Sequence, residues 1–222
     1  MDWIERTARA FDQDEIEVEV PAEAVAAMIA FERRYGGLWC PAVGPNGMEY
    51  GLNGAASVYW TAQGWVFFGI MDGDWTNSVE VLLDGRAGMA LADKPLRILN
   101  RSIDQRLEAH ALLLAVQRWS HLTLELALPR GTTPVLAATN LPPRVDEASG
   151  PADLWWFDGT SALHLQLRAW WTEDHDIWAV HCFGQDTTAL NQIKETVLNE
   201  VAGLLRPEKI WCSLCERSEC GT

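Results

Sequence analysis

Between Trp39 and Leu99 the chain is broken into short β-type runs, and no other feature constrains the fold as tightly. "ASVYW", "GWVFFGI", "SVEVLLD" and "GMALAD" are separated only by the turn-forming stretches "TAQG", "MDGDWTN" and "DGRA". Parallel neighbours need a long crossover between them, so connections this short dictate antiparallel pairing. Asp84-Gly85 has the composition of a tight turn between two such strands.

Helical segments punctuate this pattern. In "PAEAVAAMIAFERRYGG" the residues Ala24, Met28, Phe31 and Tyr35 form one apolar stripe at helical spacing. Pro21 suits the first turn, and Gly36 or Gly37 takes the left-handed conformation that stops the helix. A second helix is expected from near Ser102, where "SIDQ" has the form of a capping box in which Gln105 reaches back to the backbone. Ile103, Leu107, His110 and Leu114 would share its apolar face, with His110 a hydrogen-bonded core histidine. The prolines and the polar run "RVDEASGPAD" between Pro129 and Asp153 read as a loop and a soft boundary. Strands follow in "DLWWFDG", "SALHLQLRAWW" and "DIWAVHCFG", with the acidic "TEDHD" as a turn. In the middle one Leu163, Leu165 and Leu167 alternate with His164, Gln166 and Arg168, the mark of a half-buried strand. The last helix carries Leu190, Ile193, Val197, Val201 and Leu204 on one face, capped by Thr187 or Thr188.

The expected fold class is therefore α+β. It consists of a mainly antiparallel sheet flanked by helices over residues 1–128, then a C-terminal α+β extension or second small domain over 129–222. A chain of 222 residues is long enough to bury a sizeable core in either arrangement.

Charge narrows the function classes. A net charge of -14 repels nucleic-acid backbones and attracts a basic protein partner, so no nucleic acid is expected. No apolar run approaches the roughly 20 residues of a membrane span, and "MDWIERTARAFDQDEIEVEV" lacks a signal-peptide pattern. The expected location is cytoplasmic, with no membrane association and with the five cysteines reduced rather than paired. Twelve tryptophans exceed ordinary usage; most serve cores, and some suit a partner-binding surface.

Signatures of chemistry are thin. Cys212-x2-Cys215 with Cys220 offers three thiolates to a metal, one ligand short of a structural zinc site. The glycines of "YGGLWCPAVGPNG" follow a helix instead of preceding one, the wrong order for a phosphate loop. "MDGDWTN" lacks the sixth-position glycine and twelfth-position glutamate of a calcium loop. No "GxSxG" elbow is present. The chain is not expected to be an enzyme, and no cofactor is expected. An enzyme in the second half would need His181, Cys182 and carboxylates to converge on a pocket.

The segment "FERRYGGLWC", the strand-rich "VYW", "GWVFFGI" and "VEVLLDGRAGMALAD", and the helix "RSIDQRLEAHALLLAVQRW" together resemble the SUKH superfamily over about residues 15–120. The matching positions are Phe31, Glu32, Tyr35, Gly36, Gly37 and Leu38, the turn from Asp84 to Arg86, and Ser102, Ile103, Leu107 and Glu108. That family contains bacterial immunity proteins and a yeast regulator of cell-wall synthesis. The resemblance implies helices beside a mainly antiparallel sheet, and a binding role. In bacterial toxin systems this means neutralising a toxin, often a nuclease or deaminase, by direct contact. On that reading the acidic turns would meet a basic toxin domain through Asp72, Asp74, Glu173, Asp174 and Asp176, together with Trp75 and Trp171. The alternative is a regulatory or scaffolding module with no toxin partner.

Overall fold

The computed structural model describes residues 2–43, 49–53, 57–72, 79–90, 95–170, 174–201 and 211–212. It is α+β and divides into two compact units, Met1–Ile103 and Asp104–Thr222.

In the first unit, α1 (Asp2–Thr7), β1 (Arg9–Phe11) and β2 (Glu17–Val18) precede α2 (Ala22–Tyr35). Then come β3 (Leu38–Cys40), β4 (Tyr50–Leu52), β5 (Ser57–Thr61), β6 (Gly64–Asp72), β7 (Val79–Leu82), β8 (Ala87–Met89) and β9 (Arg97–Asn100). They form one nine-stranded sheet, antiparallel except where β1 runs parallel to β5. The long strand β6 organises it. One edge of β6 pairs with β7, while the other takes β5 along its first half and β4 along its second. The β7–β8 turn is the expected one: Gly85 has φ +89°, and Arg86 binds the Asp84 carboxylate.

The apolar stripe on α2 is buried at Ala24, Met28 and Phe31 and lies against β6. Gly69 makes room for it, since a Cβ there would stand 2.8 Å from the Phe31 ring and 2.7 Å from Val81. Phe31 then meets Phe67 edge-on at 5.4 Å, a favoured aromatic geometry. Of the two glycines that follow, Gly37 is the left-handed one, at φ +81°.

The second unit contains α3 (Ile103–Val116), β10 (Ser120–Pro129), β11 (Asp153–Phe157), β12 (Ser161–Ala169), β13 (His175–Gly184), α4 (Thr187–Val201) and β14 (Trp211–Cys212). The helix α3 opens one residue before the unit does. The sheet order is β11-β12-β13-β10-β14, antiparallel throughout. One face carries Leu122, Leu124, Leu126, Leu163, Leu165, Trp178, Val180 and Cys182, all buried. It packs against Leu190, Ile193, Val197 and Val201 of α4. On the other face, Trp155, Ala162 and Phe183 form a cluster with Ala109 and Val116 of α3.

Several expectations change here. The boundary expected at 128/129 falls inside a continuous structure: β10 pairs with β13 at ten positions, Ser120↔Gly184 to Pro129↔His175, so α3 and β10 belong to the second unit. The segment from Pro129 to Asp153 is no linker, because Ala137 and Asn140 bond α4 and Val145 bonds Trp155. Gln105 is buried, and its Nε2 donates to the Ala148 carbonyl at 3.0 Å. The buried positions on α3 are Ile103, Gln105, Ala109 and Val116, with Leu107, His110 and Leu114 half-buried. At α4 the cap is Asp186, whose Oδ1 accepts from Ala189, one residue before the expected threonines.

Candidate functional site

Three groups of residues compete for a functional role: the acidic turns, the histidines of the second sheet, and the exposed aromatics of the first unit. Of the acidic-turn residues, Asp74, Trp75, Trp171 and Glu173 lie outside the described residues, as do Cys215 and Cys220. Asp72 ends β6 with its backbone opposite Tyr50, and Cys212 registers opposite Leu122. Asp174 is exposed. Asp176 is not a turn residue: it lies in β13, fully buried, and its Oδ2 accepts from the Gly131 N–H at 2.8 Å. Its acidity serves to hold the chain where it leaves β10, not to meet a partner.

Register across the second sheet brings together residues far apart in sequence. Trp155, His164, His181 and Thr123 stand in one row over four strands. The Trp155 and His164 rings stack at 4.1 Å with 8° between planes, and His181 follows at 5.5 Å. His164 is buried, and its Nε2 shares a 2.8 Å hydrogen bond with the Asp153 carboxylate. The Nδ1 of His181 meets the Thr123 hydroxyl at 2.9 Å. His181 keeps a small exposed area, yet the protein around it desolvates the ring, and His164, His121 and Arg168 oppose added charge; its pKa falls to about 3. Burial lowers that of His121 too. A histidine that holds a proton this weakly is a poor general base at neutral pH.

The convergence of His181 and Cys182 that an enzyme in this half would need does not occur, because consecutive strand residues point to opposite faces. Cys182 faces α4, where burial pushes its thiol up to about 12, the opposite of an activated thiolate. Among the described residues no three His, Cys, Asp or Glu side chains are grouped to hold a metal.

The first unit differs in what it leaves uncovered. Among the described residues, Trp3, Ile16, Leu38, Trp39 and Trp60 are exposed large apolar side chains of this unit, against Val135 alone in the second. Trp39 is the most open of the described tryptophans, at 63%. It is nonetheless held. Its register partner on β4 is Gly51, and the absent Cβ lets the indole lie close: a methyl there would be 3.1 Å from the ring carbons Cε3 and Cζ3. The indole N–H donates to Glu49 Oε2 at 3.0 Å. Trp39 is thus an ordered aromatic with one side on backbone, a carboxylate at its edge and the rest in solvent. The register shift in β6 between Phe68 and Ile70 leaves Phe67, Ile70 and Leu52 on one sheet face and Trp39 with Gly51 on the other, away from α2. Trp60 and Trp65, in edge contact at 5.1 Å, share the Phe67 face towards the start of β6.

Neither Trp39 nor the histidine row was legible in sequence. The signal for the row was two strands, each placing a histidine at an alternate position, joined by a short acidic connection. Only the register shows that the histidines face each other.

The architecture places the chain in the α+β class. No family model, no curated protein and no solved structure matches it. Among the described residues, no helix is long and apolar enough to cross a membrane.

Proposed function

We propose that this chain is a binding protein for a basic protein partner, which docks on the first unit around Trp39. The observation that carries this reading is Trp39 itself: a large exposed aromatic, pinned by Gly51 and Glu49 instead of disordered. An aromatic already fixed in place loses little side-chain freedom on binding, which is what makes tryptophan an effective interface anchor. The net charge of -14 supports a basic partner and fast encounter with it. Within this class we favour an immunity-type role in the cytoplasm, occluding the active site of a nuclease or deaminase toxin. Support for that narrower reading comes from the SUKH-like sequence segments and the acidic balance.

The test is quantitative capture from the native host with full-length wild-type and Trp39→Ala baits. Enrichment of one basic protein by the wild type, lost with Trp39→Ala, supports docking at β3. A nuclease- or deaminase-like domain in that protein supports the immunity role, whereas a signalling or housekeeping protein moves the reading to a regulatory module. Equal capture by both baits removes Trp39 from the interface.

A further inference from the structure

The pairing of Trp39 with Glu49 has a chemistry more specific than apolar docking. Glu49 is exposed and uses Oε2 to accept from the indole; among the described residues Oε1 has no partner. One side of the indole is closed by Gly51 and the other is open. An open indole face beside a carboxylate held in the ring's own hydrogen bond presents a π-surface and a negative charge with fixed relative geometry. A planar cation satisfies both at once, stacking on the ring while its edge N–H groups reach the carboxylate. Arginine fits this better than lysine, because the guanidinium is flat, stacks on aromatics, is weakly hydrated and carries several N–H donors in one plane.

We propose that Trp39 and Glu49 form a recognition site for an arginine side chain of the partner. This rests on the docking reading above and names the chemical group that the docking surface takes. Trp39 supplies the stacking face, Gly51 its level and Glu49 the counter-charge. The chain's general acidity attracts lysine and arginine alike, so discrimination between them is the property that belongs to this site.

The experiment needs no partner. The probes are two capped tripeptides, glycine-arginine-glycine and glycine-lysine-glycine, titrated into the full chain. The readout is the indole N–H resonance of Trp39, assigned by its loss in Trp39→Phe. The arginine peptide should move that resonance saturably, with an affinity about fivefold above that of the lysine peptide. Glu49→Gln, which keeps an acceptor for the indole but removes the charge, should lower the arginine affinity by about fivefold. A resonance that stays still, or responds equally to both peptides, overturns the proposal. Because no partner is involved, that failure leaves the comparison of the two capture baits to decide the docking reading. Conversely, arginine binding at Trp39 with equal capture by both baits would retain the site and remove the docking reading.

Discussion

Acidification should destabilise the second unit through His181 by an amount that can be worked out. In an unfolded chain this imidazole titrates near 6.5, whereas the native environment lowers it to about 3. The native state therefore stays neutral while the unfolded state takes up a proton, so stability present above pH 6.5 is lost as pH falls. The loss grows by about 1.4 kcal/mol for each pH unit below 6.5 and stops near the native pKa. Between pH 7 and pH 5 it amounts to roughly 2 kcal/mol. His181→Asn removes the titration while leaving a polar group beside Thr123. Urea unfolding of both proteins at pH 7 and pH 5 isolates the contribution, because the other titrating groups are common to both and largely cancel. The wild type should lose roughly 2 kcal/mol more than His181→Asn over this interval, and its His181 ring protons should show no titration down to pH 4.5. Equal losses in the two proteins, or a His181 titration midpoint near 6.5, would refute the reasoning.

Two further substitutions test packing. Asp176→Ala should destabilise by roughly 1–3 kcal/mol by stranding the Gly131 N–H, whereas Asp174→Ala, two residues away and exposed, should stay within about 0.5 kcal/mol; chemical denaturation separates them. Gly69→Ala forces a methyl against Phe31 and Val81 and should cost the first unit roughly 1–3 kcal/mol, seen as a lower thermal midpoint with little change in far-ultraviolet dichroism.

The parts of this fold legible in sequence are those decided locally. The stripe of Ala24, Met28 and Phe31 needs only helical spacing and something apolar to meet, and the buried face of α4 follows in the same way. The hairpin at Asp84-Gly85 is fixed by a residue that tolerates positive φ. What escaped were properties of pairing. β1 joins the sheet as a three-residue parallel strand beside β5, too short to leave a periodic trace. A proline-rich stretch after β10 looks like a boundary, but β10 itself reaches across to β13 along its whole length. Asp176 sits in an acidic run that reads as a turn, whereas in the fold it is a buried strand residue bonded by the Gly131 N–H, distant in sequence. The same holds for the candidate sites. Trp39 becomes a platform because Gly51 is its cross-strand neighbour, and His164 meets His181 because of the β12–β13 register. Neither fact is carried by any local stretch.

Where a partner touches the chain is the central question, and hydrogen exchange on the full-length protein, with and without its captured partner, answers it most directly. The account predicts slowed exchange of backbone amides in Leu38–Cys40 and Tyr50–Leu52, with the second sheet unchanged. Slowed exchange confined to the second unit, around His164 and His181, would contradict it and move the binding surface there.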